Sequence, residues 1–177
     1  MSNLHKVFTN HITKEKFIQA KPMTINKIYD GKPMITETDT EGIITYANRH
    51  FLEFTGFERK ELIGLPHSVI RHPDTPVGVY HAMWKIISQK KVWRGYLKSL
   101  CRDGSYYWAL LYIQPKIDEI GNITGYVASR RDAYPSAISD VEAKYAELQG
   151  KEHMDDDYFM RGELYHGEDM ATFTSHA

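Results

Sequence analysis

The hydrophobic positions of this chain divide it into a flank, a body and a tail. Between Leu4 and Ala20, the residues Leu4, Val7, Phe8, Ile12 and Phe17 fall at approximately helical spacing until Pro22 breaks the run. Residues 1–30 are therefore expected to form an N-terminal helical cap. From Met34 two β-prone runs, Met34 to Thr38 and Ile43 to Ala47, flank Asp39-Thr40-Glu41-Gly42, whose Asp and Gly favour a hairpin turn. Asn48 precedes Phe51, Leu52 and Phe54 as an N-cap precedes a first helical turn, and Gly56 ends that helix. Short helical turns follow through Glu58 to Gly64 and into the next stretch. Val79, Met83, Ile86 and Ile87 then make one stripe, with Trp84 beside it, on the longest helix of the body.

Beyond Lys91 the period becomes two. Three strands are joined by Arg102-Asp103-Gly104 and by the five residues Asp118 to Asn122, and the Asp-Gly pair is a strong hairpin signal. The order predicts an α+β domain over residues 31–133. Its five-stranded antiparallel sheet has short helices inserted between strands 2 and 3, covering one face. Ile138, Val141, Tyr145 and Leu148, between Pro135 and Gly150, predict an amphipathic C-terminal helix over residues 134–150. Residues 151–177 form an acidic tail, for which disorder is the simpler expectation and docking to a partner the other.

Composition narrows the function more than the fold. The 177 residues are 42% hydrophobic and 25% charged, enough for one cored domain with extensions. A net charge of -1 gives no general attraction for nucleic acid or anionic lipid. The charge is uneven: residues 1–32 hold six Lys against two acids, and residues 151–177 hold seven acids against Lys151 and Arg161. Cys101 is the only cysteine, which excludes an intrachain disulfide and suits a reducing, cytoplasmic compartment. Neither a membrane-length apolar run nor a signal-peptide core is present. No GxSxG, phosphate-binding Gly loop or paired-carboxylate arrangement occurs, so a non-enzyme is expected.

One segment resists the periodic reading. "LPHSVIRHPDTP", Leu65 to Pro76, carries His67, Arg71, His72, Asp74 and three prolines between apolar periodic stretches. In the strand that starts at Trp93, alternation puts Trp93, Gly95, Leu97, Ser99 and Cys101 on one face and Arg94, Tyr96, Lys98 and Leu100 on the other. The charged residues fall together, so the Trp93 face points inward. Gly95 and Ser99 leave room there for a planar ring. A sheet covered by irregular helices encloses space that either fills with side chains or holds a ligand.

"TDTEGIITYANRHFLEFTGFERKELIG" and "DGSYYWALLYIQPKIDEIGNITGYV" resemble a PAS sensor domain. More specifically, "GLPHSVIRHPDTPVGVYHAMWKIISQKKVWRGYLKS", with its RHPD, MW and WRG elements, resembles the flavin-binding PAS domain of bacterial aerotaxis receptors. That resemblance implies noncovalent FAD, whose redox state is relayed to a chemotaxis signalling module. It assigns Arg71 and His72 to the diphosphate, Trp84 and Trp93 to ring walls, His67 to a flavin carbonyl or the ribityl-phosphate region, and Asp74 to orienting these groups. Leu97, Ser99, Tyr107, Ala109 and Leu111 would face the pocket, leaving Trp108 outside against a flank or another subunit. Ser99 stands where the aerotaxis group has Asn. Asn48 is read first as a cap and second as a ligand.

The resemblance also implies a homodimer through the N-terminal cap. The end at Ala177, without a receptor's membrane segment, suggests a stand-alone sensor that pairs with a separate chemoreceptor or other signalling chain and is recruited by it to the inner membrane. Each residue has a plainer reading too: the histidines could satisfy loop backbone, Asp74 could cap the helix after Pro76, and the tryptophans could be core. Light-oxygen-voltage photochemistry is disfavoured, because "PHSV" stands where those relatives carry a reactive cysteine and Ala109 replaces their amide side chain. Heme, with His81 or secondarily His72 as axial ligand, and a cofactor-free dimerisation module remain open. Zinc held by His67 and His72 lacks a completing ligand set.

Overall fold

The computed structural model describes residues 5–149, 157–160 and 163–166. Its N-terminal flank corrects the helical expectation. Val7–Thr9 (β1) and Lys16–Ile18 (β2) pair antiparallel, with Val7 opposite Ile18 and Phe8 opposite Phe17. The deciding residue is Asn10, which is buried. Its Oδ1 accepts from the N–H groups of Ile12 and Thr13 at 2.9 and 3.0 Å, and its Nδ2 donates to Ile63 O at 2.8 Å. A side chain that folds its own backbone into a turn competes directly with the helical ladder. Phe8 and Phe17 then face the core, and the Phe17 and Phe57 ring centroids lie 5.9 Å apart.

The body follows the predicted order. Met34–Thr38 (β3) and Ile44–Ala47 (β4) form the hairpin, and Trp93–Leu100 (β5), Tyr106–Ile117 (β6) and Ile123–Arg131 (β7) complete an antiparallel sheet in the order β4-β3-β7-β6-β5. The helices between β4 and β5 are Arg49–Thr55 (α1), Arg59–Leu62 (α2), a 3-10 turn at His67–Ile70 and Val77–Ile87 (α3). α1 is capped by Asn48 and ends at Gly56, whose φ of 82° suits glycine. Val79, Met83, Ile86 and Ile87 of α3 are buried against the concave face of the sheet.

The opposite face is covered as well. Pro135–Leu148 (α4) lays Val141, Tyr145 and Leu148 onto it; Tyr145 stacks on Trp108 at 6.4 Å and donates its hydroxyl to Tyr96 O at 2.8 Å. Trp108 therefore packs outside the pocket against a flank. β5 is consequently buried along its whole length, including Arg94 and Lys98, which alternation places on the outer face. Asp157–Met160 (β8) and Glu163–His166 (β9) pair with each other, and β8 runs beside α3 and β5. The rest of the acidic tail lies outside the described residues. No helix among the described residues is long and apolar enough to cross a membrane.

Candidate functional site

The concave face and the helices enclose a slot. Leu97, Leu111 and Ile113 form its sheet wall and Ile70, Met83 and Ile87 its helical wall. Trp84 and Tyr126 meet edge to face at 5.3 Å beside it. The polar positions are Thr36, Thr38, His67, Arg71 and Ser99, and no acidic residue lines the slot among the described residues. The volume open to the centre of a water-sized sphere is about 50 Å³. Beyond the slot, Tyr29, Phe54 and Tyr107 pack into an aromatic cluster that fills the other end of the concave face.

Two features of the chain aim the polar groups. The 3-10 turn directs His67 at β3, where its Nε2 lies 3.2 Å from Thr36 Oγ1. Directly after the turn, Arg71 makes an isolated antiparallel bridge with Ser99, and its guanidinium carbon lies 4.0 Å from the Tyr80 ring centroid. His67 is half-buried and lines the slot. Burial, reinforced by the Arg130 and Arg71 cations, pushes its pKa down to about 3, so the ring is neutral at ordinary pH.

Of the residues assigned to a ligand, His67, Arg71, Trp84, Leu97, Ser99 and Leu111 converge on the slot. Trp93, Tyr107 and Ala109 share the concave face and are fully buried, but they do not line it. Asn48 is structural: its Oδ1 accepts from Ile35 N at 3.1 Å and Phe51 N at 3.0 Å, and its Nδ2 donates to Pro33 O at 2.9 Å.

His72 and Asp74 require a larger correction, because they lie on the α4 side of the sheet. Asp74 joins Lys98 Nζ at 2.8 Å beside a cleft bounded by Trp108, Glu142, Tyr145 and Gln149. His72 Nδ1 accepts the Asp74 N–H at 3.0 Å, so that nitrogen carries no proton and the 3.7 Å approach of Asp74 Oδ2 is not an ion pair. Burial first, and Lys98 second, hold the His72 pKa down to about 4. The reason is the extended backbone at Arg71, with ψ of 129°, which sends successive side chains to opposite sides. His81 is exposed, so neither histidine considered as an axial ligand faces the slot. No group of three or more His, Cys, Asp or Glu among the described residues could hold a metal ion.

Sequence reasoning missed Thr36, Thr38, Tyr126 and Ala128 on the walls, and Arg130 behind them. The signal was available: Thr36 and Thr38, and likewise Tyr126, Ala128 and Arg130, are spaced by two on strands whose apolar members face the core. Arg130 is 1% exposed and donates from Nη1 to Thr36 Oγ1 at 3.2 Å.

The PAS fold model matches residues 31–133. The chain belongs to the PAS family. It is 34% identical over 119 residues to the aerotaxis receptor of Escherichia coli (strain K12), covering 67% of this chain and 23% of that protein. It is also 34% identical over 98 residues to a nitrogen fixation regulatory protein of Klebsiella pneumoniae, covering 55% of this chain and 20% of that one. This PAS protein thus spans under a quarter of the length of either relative. Among solved structures, the light-state LOV domain of the blue-light photoreceptor Aureochrome1 superposes with a TM-score of 0.56 at 21% identity, over 64% of this chain and 91% of that domain, a likeness of fold alone.

Proposed function

We propose that this PAS domain binds FAD noncovalently and works as a cytoplasmic redox sensor, without catalytic turnover, for a chemotaxis or other signalling partner. The observation that carries this reading is the chemistry of the slot. Its walls are apolar and its polar positions are hydroxyls, a neutral imidazole and one guanidinium, that of Arg71, with no carboxylate among the described residues. An oxidised isoalloxazine ring presents a flat apolar body with carbonyl and imine acceptors along its edges, which is the complement of such a wall. His67 and Ser99 would meet those edges, Trp84 and Leu97 would cover the ring, and the partly exposed Arg71 would meet the diphosphate. The flavin supplies a two-electron couple. The chain supplies orientation, exclusion of water and the local charge.

Similarity to the E. coli aerotaxis receptor over 119 residues supports the signalling context. A homodimer and a receptor partner fit that context and belong to the same proposal. Relay would run through the elements that cover the domain, because α4 rests on the outer side of the strand that carries Ser99.

The narrowness of the slot favours a second reading, a cofactor-free interaction module. About 50 Å³ admits water but not a three-ring system. FAD binding therefore requires the slot to widen. An absorption spectrum of the purified protein separates the readings, with extracted chromophore identified by chromatography against FAD and FMN. Stoichiometric FAD is expected; a colourless protein that stays colourless after incubation with excess FAD would sink the proposal, and a Soret band would replace it with heme.

A further inference from the structure

Arg130 is a buried cation with no carboxylate partner among the described residues. It lies on β7 between Met34 of β3 and Leu111 of β6, with its guanidinium carbon 4.8 Å from the Phe51 ring centroid. Nη1 donates to Thr36 Oγ1 at 3.2 Å, whereas Nε and Nη2 are buried without an acceptor in good hydrogen-bond geometry, although the neutral Tyr107 hydroxyl interacts with the guanidinium. An arginine removed from water without a carboxylate is costly, and protein interiors rarely leave such donors unmet.

The surroundings sharpen this. The titratable groups that line the slot in front of Arg130 are His67 and Arg71 from the 3-10 segment and Tyr80 from α3; behind the slot wall, Tyr107 from β6 meets the guanidinium and Tyr29 donates its hydroxyl to Arg130 O at 2.9 Å. Burial pushes the phenols of Tyr80 and Tyr29 up to about 12, and that of Tyr107 upward as well, so all three are neutral. Asp30 and Asp132 act on Tyr29 from exposed positions, and Lys98 and His72 lie on the α4 side. Among the described residues, the charge in and behind the slot is therefore positive or zero.

Hydrogen-bond direction adds to the charge. Thr36 Oγ1 accepts from Arg130, so its own proton is free to go to His67 Nε2. A neutral His67 then carries its proton on Nδ1. The chain Arg130 to Thr36 to His67 turns the inner wall into a row of donors. Such a wall is matched by a ligand that carries negative charge when it is bound.

We propose that Arg130 is the counter-cation for the reduced ring of bound FAD, so that two-electron reduction in this slot takes up a single proton. The inference rests on the FAD reading. The balance is FAD + 2e⁻ + H⁺ → FADH⁻: electrons come from an added chemical reductant such as dithionite, the proton goes to ring N5, and the negative charge stays on the N1 and C2 carbonyl region. Without a cation nearby the anion gains a second proton, giving FADH₂. An opposite charge close by favours the ionised form.

The test is an anaerobic dithionite titration of the FAD-loaded full chain at several pH values, from which the slope of midpoint potential against pH gives protons per electron pair. At mildly acidic pH, where free reduced flavin is neutral, the native protein and R130K are expected to take up one proton. R130M, or R130Q should R130M not fold, is expected to take up two, with about tenfold higher affinity of the reduced ring for the second proton. Uptake of two protons by the native protein would overturn the assignment, as would uptake of one by the charge-removing variant. Loss of oxidised FAD from a folded R130M protein would also overturn it, because the counter-charge is needed only after reduction. Failure of every form to hold flavin would instead remove the functional reading on which it rests.

Discussion

Replacing Asn48 by alanine should damage stability and leave the ligand site intact, contrary to a role in holding a cofactor. The side chain makes three hydrogen bonds: Oδ1 accepts from Ile35 N and Phe51 N at 3.1 and 3.0 Å, and Nδ2 donates to Pro33 O at 2.9 Å. The first pins α1 to β3 and the second is an N-cap, whose loss typically costs about 1 kcal/mol. Each further bond contributes about 0.5–1.5 kcal/mol. Because Asn48 is only partly buried, water replaces some of this, and a total of about 2 kcal/mol is expected for Asn48→Ala. Asn48→Asp keeps both acceptor contacts but sets a carboxylate oxygen against Pro33 O where the amide donated, so it should cost about 1 kcal/mol, less than Asn48→Ala.

Urea denaturation of the apo forms measures both values, provided the slope of free energy against urea is unchanged. FAD titration of the folded proteins in buffer then reads the site separately. If Asn48→Ala is as stable as the native protein, the three-bond account is wrong. If it loses FAD while remaining stable, Asn48 is a ligand residue after all.

Three further expectations follow from the site and its cover. His67 has a folded-state pKa of about 3 against an ordinary 6.5, so its contribution is fully present above pH 6.5 and is lost as pH falls toward 3. His67→Gln should reduce by up to one the number of protons taken up on unfolding in that window, measured from stability against pH; an unchanged pH dependence would show that the ring is not buried neutral. Arg71→Ala should weaken FAD retention, whereas His72→Ala should leave the slot's own contacts in place; equal loss of FAD in both would argue that the ligand wraps to the α4 side. Tyr145→Phe removes the bond to Tyr96 O and should cost about 1 kcal/mol, with faster hydrogen exchange in α4, and exchange that stays unaltered would mean that stacking on Trp108 alone secures the helix.

The body of the fold was legible because its periods are clean. β6 and β7 alternate, Asp103-Gly104 marks their approach from β5, and the α3 stripe is regular. The N-terminal hairpin was not, since Leu4, Val7, Phe8, Ile12 and Phe17 fit either period and the deciding event is a tertiary one, the anchoring of Asn10 on α2 and its exit. In the candidate site, the strand residues Leu97, Ser99 and Leu111 could be assigned by alternation. His72 and Asp74 could not, because an irregular segment gives no rule for which way each side chain points. Charge also misled as a marker of solvent: Lys98 is indeed on the outer face, but α4 and Asp74 shield it there.

The two-sided placement of neighbouring residues has a mechanical consequence. Arg71 and Ser99 are bridged on the slot side, while the residues next to them, His72 and Lys98, belong to the cluster under α4. A membrane one pleat thick separates the two compartments, and it is hydrogen-bonded too tightly to stretch. A displacement of Ser99 or Arg71 in the slot would thus have only one pleat to cross before it reached His72, Lys98 and the α4 side.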